Sequence, residues 1–376
     1  MSGPGLEVNL EHLRENTQVL VDRLGRRGIR VSGVTKAMLG VPQLARALID
    51  GGASALADSR IENIEAMRAA GITAPMTLIR APMLSQCDRV VAGADASLNS
   101  EADVITALAA AARHQGRVHG VVLMVELGDL REGILPHDLE AAARHVLAQT
   151  GVRLTGIGAN LACQSGVAPS VRNMTELSAL AAGLEYSLGV TLDVVSGGNS
   201  ANLTWALNAA DLGRVNELRL GEAILLGRET LHRRPIPGLH TDAFTLVGEV
   251  IEAKHKPSRP WGDITQNAFG ERPPLLDRGV RARVIVAVGR QDTDHSGLTA
   301  PEGYDMLGAS SDHLVLDTEM PLPPIGSEVR FGLNYAALLR AMTSPYVTPQ
   351  FVRGVASAPV ALPTSQTSAT ATASPA

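Results

Sequence analysis

The sequence has few of the residues on which several classes of protein depend. Of its 376 residues, two are cysteine and 3% are aromatic. Cys87 and Cys163 cannot build a disulfide-rich scaffold or an all-cysteine zinc site, and we predict no bound metal. The few aromatic residues and a formal net charge of -5 argue against a nucleic-acid-binding protein. Because no run of about 18 apolar residues occurs, we predict no membrane-spanning helix.

The beginning of the chain also lacks the features of a targeting signal. The sequence MSGPGLEVNLEHL carries acidic residues early and has no apolar core of the kind that a signal peptide needs. We therefore expect a cytoplasmic protein. At roughly 150 residues per domain, a chain of this length is expected to form two domains.

Apolar segments alternate with helical patterns from residue 31 to residue 220. Eight short apolar segments are predicted to be strands: 31–35, 53–57, 76–79, 90–98, 121–126, 154–158, 192–195 and 217–220. Between them, apolar residues three and four positions apart predict helices at 41–50, 60–70, 101–113, 138–149 and 174–187. Eight such units predict a (β/α)8 barrel. The alternative is an open, doubly wound sheet.

The pattern changes after Pro235 and Pro237. Segments 244–253, 280–288, 313–317 and 328–333 alternate as antiparallel strands do, with loops rich in proline and glycine between them. We predict a barrel domain over residues 1–235 and a smaller, mostly β domain over 236–352. Residues 353–376 are rich in proline, alanine, serine and threonine, which predicts a disordered tail.

Lysine is scarce, which draws attention to Lys36. Of 33 basic residues only three are lysines, so 30 are arginines. Lys36 follows the first predicted barrel strand, and the carboxyl ends of barrel strands form the active-site face. Burial there would lower the pKa of the lysine and make its amine a nucleophile or a base. The alternative is a lysine whose stem packs at the strand end while its ammonium group reaches solvent.

Glycine-rich turns follow the seventh and eighth predicted barrel strands, in VVSGGNSANL and LRLGEAILLG. Barrels frequently bind a phosphate between these two loops through backbone N–H groups. The residues that would form such a cradle are Asn199, Ser200, Gly221 and Glu222. The alternative is two ordinary tight turns.

A reactive lysine opposite a phosphate cradle points to pyridoxal phosphate (PLP). The lysine would hold its aldehyde and the cradle its phosphate. Arg219, at the end of the eighth strand, would face the pyridine nitrogen and keep it unprotonated. Arg131, in VELGDLREG, would reach the phenolic oxygen or a substrate carboxylate. Either arginine could instead form an ion pair at the surface.

Several longer motifs accompany these residues. They are VTKAMLG, VELGDLREG, GIGANLAC, SGGNSANL, LRLGEAILLGRE, GLHTDAFTLVGEVIE, GRQDTD, GASSDHLVLD and LNYAALLRAMTSPYV. With them the chain resembles the fold-type III PLP enzymes of the alanine racemase superfamily, up to about residue 352, and within it the ornithine racemase-like branch. The resemblance implies a barrel followed by a β domain, in a homodimer whose active sites use both chains.

The resemblance also implies roles for individual residues. Lys36 matches the Schiff-base lysine, Arg219 the arginine at the pyridine nitrogen and Arg131 the arginine near the phenolic oxygen. Asn160 stands where alanine racemases carry a histidine over the ring. The remaining matches are to phosphate contacts, Ser200, Gly221, Glu222 and Tyr335, and to a loop that approaches substrate from the partner chain, Ser310, Ser311 and Asp312.

The chain departs from alanine racemases where their second acid/base lies. Those enzymes have a tyrosine in the early β domain, where Trp261 is the nearest residue here, in KPSRPWGD. The tyrosine of the lysine loop is replaced by Leu39, and their GYADG segment reads GRQDTD. The second acid/base is therefore left open among His255, His295, His313 and Ser258.

We predict PLP-dependent racemisation of ornithine or another basic amino acid, with Lys36 moving the α-proton on one face. A cationic substrate side chain calls for a carboxylate, for which the candidates are Asp292, Asp294 and Asp312. The alternatives are an alanine racemase and a non-catalytic PLP-binding protein of cofactor homeostasis. Decarboxylases and D-serine dehydratases of this fold type use a cysteine in the C-terminal domain, which this chain lacks.

Overall fold

A computed structural model describes residues 3–272 and 276–352. The tail predicted over residues 353–376 lies outside these ranges. No helix in the described part of the chain combines the length and the apolar character that crossing a membrane requires.

Eight parallel strands close into a barrel. After a first strand, β1 (Gly5–Asn9), they are β2 (Arg30–Val34), β3 (Ala55–Asp58), β4 (Met76–Leu78), β5 (Ala96–Asn99), β6 (His119–Met124), β7 (Val152–Gly158), β8 (Val194–Ser196) and β9 (Glu217–Leu220). The barrel closes where β9 pairs with β2, with Val31 opposite Leu218. The predicted (β/α)8 barrel is confirmed, and the open doubly wound sheet is wrong.

Helices surround the barrel. They are α1 (Leu10–Gly25), α2 (Pro42–Asp50), α3 (Ile61–Ala69), α4 (Cys87–Gly93), α5 (Ala102–His114), α6 (Leu139–Leu147), α7 (Val171–Leu188), α8 (Leu203–Asn208) and α9 (Glu222–Leu226). The longest, α7, begins with a capping box in which Ser170 and Asn173 exchange hydrogen bonds. It ends at Gly189, whose φ of 62° is the left-handed conformation that glycine adopts at helix ends.

The fourth predicted barrel strand, 90–98, is only half correct. Its first part belongs to α4, where Val90 and Val91 are buried, and the strand itself starts at Ala96. A short apolar run has the same composition in a buried helix and a buried strand, so hydrophobic periodicity could not separate the two.

The second sheet is mostly antiparallel, and a helix, α10 (Tyr335–Thr343), lies between its last two strands along the chain. Its strands after the barrel are β10 (Phe244–Pro257), β11 (Val280–Val286), β12 (Leu298–Thr299), β13 (Tyr304–Ala309), β14 (Leu314–Thr318), β15 (Glu328–Leu333) and β16 (Thr348–Val352). The sheet order is β12-β15-β10-β11-β14-β13, with β1 paired to both β10 and β16. This sheet matches the predicted β-rich domain in class.

The first strand of the chain lies in this second sheet and not in the barrel. Leu6 of β1 stands opposite Leu246 in β10 and Pro349 in β16. The prediction of a barrel domain over residues 1–235 includes this strand, whereas the structure pairs it with strands of the second sheet. The boundary after residue 235, as a division between folding units, stays a prediction.

Helix α1 joins the two parts of the molecule through polar contacts. Asn16 is fully buried, and its Nδ2 donates to the carbonyl oxygens of Ile224 and His240, each at 2.9 Å. The ring of His12 stacks on that of His240 with centroids 3.9 Å apart. His12, His240 and Asp242 place possible metal-ligand atoms within 4.8 Å of one another there. These contacts fix the segment that leads into β10 against the barrel.

Candidate active site

A cavity of about 600 Å³ opens at the carboxyl ends of the barrel strands. Parallel strands all deliver the loops that follow them to this one end, so residues distant in sequence meet there. The nine residues predicted to bind the cofactor all line it: Lys36, Arg131, Asn160, Asn199, Ser200, Arg219, Gly221, Glu222 and Tyr335. Their individual roles remain predictions.

Lys36 is the first residue of a short 3-10 turn after β2. Burial lowers the pKa of its amine, and this effect outweighs those of the charges nearby. Among those charges, the guanidinium of Arg131 lowers the pKa of Lys36 further. Its Nζ lies 5.9 Å from the centre of the Tyr335 ring. Lys36 therefore supplies an amine that is more easily neutral than that of an exposed lysine.

Tyr335 is the first residue of α10, so the β-rich part of the chain contributes to the cavity. Burial raises the pKa of its hydroxyl to about 12. The hydroxyl therefore stays protonated at neutral pH and can donate a hydrogen bond, for example to a phosphate.

Ser200 connects the two glycine-rich loops. Its Oγ accepts hydrogen bonds from the backbone N–H groups of Gly221, at 3.3 Å, and Ala223, at 3.2 Å. Gly198, two residues before it, has a φ of 141°, and an added Cβ would collide with the side chain of Asn202. A glycine is therefore required in this loop, which brings its backbone close to the cavity.

Arg219 is buried beneath the cavity, with 4% of its surface exposed. Its Nη1 donates to Ser196 Oγ, and its Nη2 donates to the carbonyl oxygen of Ala159 at 2.8 Å. Burial lowers the pKa of Arg219, yet an arginine remains protonated in proteins. The alternative of a surface ion pair is wrong for this residue, because it is buried and its guanidinium is held by neutral acceptors.

Arg131, which also lines the cavity, makes contacts with two side chains. Its guanidinium pairs with both carboxylate oxygens of Glu132, and its Nη1 donates to Cys163 Sγ at 2.7 Å. Burial opposes the charge of Arg131, but the pairing with Glu132 raises its pKa above the usual value. The sequence left open whether Arg131 lines the site or forms an ion pair. In the structure it does both.

Two asparagines form the edge between these groups. Asn199 Nδ2 donates to Asn160 Oδ1 at 3.0 Å and to the carbonyl oxygen of Leu161 at 2.8 Å. The Nδ2 of Asn160 has no hydrogen-bond partner within the described structure. Because Asn160 lines the cavity, its amide is a donor left for a ligand.

Other cavity residues were missed by the sequence reasoning. They are Val34, Ser59, Ile79, Arg80, Ala81, Leu98, Glu132, Ala162, Cys163, Thr230 and Arg233. Cys163 had a signal that could have found it, since it stands three residues after Asn160 in the loop that follows the same barrel strand. Arg233 pairs with Glu222 across the rim, which no sequence pattern predicted.

A second cavity of about 810 Å³ adjoins the first and shares Lys36, Ser59 and Tyr335 with it. Asp294 and His295 line it, on the β-domain side. Of the other predicted carboxylates, Asp292 is buried in a turn, where its Oδ2 accepts from the backbone N–H of Gly289 at 2.7 Å.

The predicted substrate loop lies outside both cavities of this chain. Ser310, Ser311 and Asp312 are exposed and line neither of them. Asp312 instead accepts a hydrogen bond from His313 Nδ1 at 2.7 Å, which holds the pKa of its carboxyl below the usual value. Trp261, with 83% of its surface exposed, is also remote from the cavity lining.

Comparisons with known proteins bear on the whole chain. Residues 8–229 match the family model for the N-terminal domain of alanine racemase. Lysine racemase from Thermotoga maritima is 39% identical over 347 residues, which cover 92% of this chain and 97% of that protein. Ornithine racemase from Acetoanaerobium sticklandii is 35% identical over 354 residues, covering 93% of this chain and 99% of that protein.

Solved structures agree on the architecture. Alanine racemase from Streptomyces coelicolor A3(2) has a TM-score of 0.76 to this chain at 19% identity, and the match covers 94% of this chain and 98% of that one. At this identity the likeness shows the fold, which is the barrel followed by the β domain that the sequence predicted.

Proposed function

Because the chain belongs to the alanine racemase family of PLP-dependent amino-acid racemases, we propose that it racemises a basic amino acid, ornithine or lysine, with PLP bound in the cavity at the barrel mouth. The observation that carries this proposal is the meeting of a partly buried lysine, a buried arginine and two glycine-rich loops in one cavity. The named relatives act on lysine and ornithine, which supports the substrate class.

The donors and acceptors of the cavity fit PLP. Ser200, the backbone of Gly221 and Glu222, and the Tyr335 hydroxyl would hold the phosphate at one rim. Arg219 offers a permanent cation for the pyridine nitrogen, and the unpartnered amide of Asn160 remains free for the ring or its substituents. A cavity of about 600 Å³ is within the usual range for small-molecule sites.

When bound, PLP withdraws electrons from the α-carbon of the amino acid and so weakens its C–H bond. The residues of this chain supply the rest. The Lys36 amine, with its pKa lowered by burial, takes or returns the α-proton on its own face. Because Arg219 keeps its proton, it would favour a neutral ring nitrogen and limit electron withdrawal by bound PLP, which would favour prompt return of the proton to the α-carbon.

The cationic side chain of the substrate needs a counter-charge. Glu132 and Glu222 line the first cavity, but each is paired with an arginine. Asp294 lines the adjoining cavity and its carboxylate is engaged only by Ser296 within the described structure. We therefore assign Asp294 as the group that receives the distal ammonium, since a buried ammonium without a partner is costly.

The loop of Ser310, Ser311 and Asp312 belongs to the same proposal. Because it lies outside the cavities of its own chain, it can contribute to substrate binding only at the active site of a second copy. We propose a homodimer in which this loop approaches the partner's substrate.

Chiral chromatography tests the proposal. The PLP-loaded protein is incubated separately with L-ornithine, L-lysine, L-arginine and L-alanine, with Lys36→Ala as the inactive variant and Lys254→Ala as its matched control. We expect D-ornithine or D-lysine to form fastest, and borohydride reduction followed by peptide mapping to leave a pyridoxyl group on Lys36.

The alternatives give different results. Faster formation of D-alanine than of any basic D-amino acid would support an alanine racemase. A yellow, PLP-loaded protein that forms no D-amino acid would support a non-catalytic PLP-binding protein. A pyridoxyl group on a residue other than Lys36 would contradict the assignment of the lysine.

A further inference from the structure

Racemisation needs two proton-transfer groups, because the proton removed from one face of the α-carbon must be replaced on the other. Lys36 serves one face under the proposed function, on which this inference rests. The second group must line the cavity, carry a proton that it can give up and take back, and be free of a strong ion pair.

Few side chains in the cavity satisfy these conditions. The arginines keep their protons, and Glu132 and Glu222 are held in ion pairs. Tyr335 stays protonated, since burial raises its pKa to about 12. Among the described residues that line the first cavity, the remaining proton-transfer group besides Lys36 is Cys163.

The position of Cys163 in the barrel suits this task. Lys36 follows β2 and Cys163 follows β7, so two strands separate them on one side of the closed barrel and four on the other. The two side chains therefore reach the cavity from well-separated parts of its rim. Both side chains nevertheless line the same cavity.

The loop around Cys163 is held firmly in place. The buried carboxylate of Asp129 accepts hydrogen bonds from the backbone N–H groups of Cys163, Gln164 and Ser165 at 2.9 to 3.4 Å. Ala162, directly before the cysteine, has a φ of 50°, a left-handed conformation that costs energy in a residue other than glycine. Backbone contacts therefore hold this loop in place, and they orient the thiol while leaving it available for other contacts.

Arg131 provides the electrostatic partner of the thiol. Its Nη1 donates to Cys163 Sγ at 2.7 Å, and a hydrogen bond from a cation stabilises negative charge on its acceptor. Leu130, directly before Arg131, also has a left-handed φ, of 53°. The contact between Arg131 and Cys163 thus links two loops of the cavity wall, each of which has a residue in the left-handed conformation beside the contact.

We propose that the thiol of Cys163 is the second acid/base, facing Lys36 across the α-carbon of the substrate. In one direction the Lys36 amine takes the α-proton as the C–H bond breaks, and Cys163 breaks its S–H bond to deliver a proton to the other face, leaving a thiolate. In the reverse direction the thiolate takes the α-proton and the Lys36 ammonium donates one. Proton exchange with water restores both groups, and no electron is gained or lost by the protein.

Deuterium exchange separates the two proton transfers. Cys163→Ser and Cys163→Ala are incubated in heavy water with each enantiomer of ornithine, and Cys87→Ala, which changes a buried cysteine in α4, is the matched control. We expect both Cys163 variants to lose racemisation by ~10²–10⁴-fold. They should still exchange the α-proton of the enantiomer whose C–H bond faces Lys36.

The serine variant distinguishes catalysis from positioning. Serine can still accept the hydrogen bond from Arg131 but does not ionise near neutral pH. If Cys163 only held Arg131, Cys163→Ser would racemise as the wild type does, and the proposal would be overturned.

A second measurement does not depend on activity. The cofactor-free protein is treated with iodoacetamide, and alkylation of each cysteine is followed by mass spectrometry. We expect Cys163 to be alkylated while Cys87 is not, and we expect saturating PLP to abolish the reaction of Cys163. Alkylation of Cys163 that PLP leaves unchanged would overturn its placement beside the bound cofactor.

The results also separate this inference from the proposed function. If the wild type racemises no amino acid, both fail together. If the wild type racemises ornithine and the Cys163 variants do so within about two-fold, only the role of Cys163 fails. A loss of racemisation with retained one-sided exchange in His295→Gln, but not in Cys163→Ser, would move the role to the adjoining cavity.

Discussion

Each end of the barrel contains a basic side chain whose pKa is lowered by burial, but the two side chains have different surroundings. At the carboxyl end, burial lowers the pKa of Lys36. At the amino end, His119 is the first residue of β6, and burial lowers its pKa to about 4. The His119 Nε2 lies 2.8 Å from Ser97 Oγ, inside closed packing. Lys36 opens instead onto the cavity.

The difference shows that desolvation alone does not identify a functional group. A buried titratable group that opens onto a cavity has its proton available to a ligand, whereas one enclosed by packing can affect only folding. In a barrel this separation follows from the direction of the strands, because the loops that form a site all gather at the carboxyl end.

The largest expected effect is at Lys36. We expect Lys36→Ala to lower racemisation by at least about 10³-fold, because under the proposed function both the covalent attachment of PLP and one proton transfer are lost. The free energy of unfolding should change by less than about 1 kcal/mol, since the Lys36 side chain is only partly buried and lines a cavity instead of filling the core. Chiral chromatography and urea unfolding measure the two effects, with exposed Lys254→Ala as control. If Lys36→Ala stays active or fails to fold, then Lys36 does not differ from His119 in the way described, with one serving the reaction and the other only stability.

The next largest effect is on stability and comes from His119. The pKa of His119 in the folded chain, about 4, lies below the ordinary value of 6.5. Its contribution to stability is therefore complete above pH 6.5 and is lost as the pH falls towards 4, by up to about 3 kcal/mol. We expect His119→Gln to flatten the pH dependence of the urea midpoint and to leave racemisation at pH 8 unchanged. An equal pH slope in the two proteins would contradict the assignment.

A smaller effect is expected in the loops proposed to hold the phosphate of PLP. Ser200→Ala removes the hydroxyl that accepts from the backbone of Gly221 and Ala223. A hydrogen bond of this kind contributes about 1 kcal/mol, so PLP should bind roughly five-fold more weakly. Absorbance titration of the cofactor-free protein measures this change. Thr204→Ala, at an exposed position in α8, should bind PLP as the wild type does.

The smallest expected effect on the cofactor is at Asp312. Because its side chain is exposed and lines neither cavity of its own chain, Asp312→Asn should change PLP affinity by less than about two-fold. Under the proposed dimer it should instead raise the KM for ornithine. An unchanged KM would remove this loop from the substrate site, and a large loss of PLP would place it nearer the cofactor than the fold suggests.

The sequence predicted the barrel mouth better than the rest of the molecule. Lys36, Ser200 and Gly221 stand at strand ends, and in a parallel barrel every strand end faces the same side, so their meeting follows from topology. The strand at 90–98 was half wrong because α4 and β5 are both short and apolar. The place of β1 was missed because its partners follow more than 230 residues later.

Hydrophobic periodicity and the position of glycines along the chain determined the barrel and the strand ends that bear its chemical groups, since both are local properties of the sequence. The contact between Arg131 and Cys163, 32 residues apart, and the burial that lowers the pKa of Lys36 were decided only when the chain closed on itself. The burial of a side chain and the charges around it depend on every segment that packs against it. The residues next to it in the sequence therefore do not determine either property.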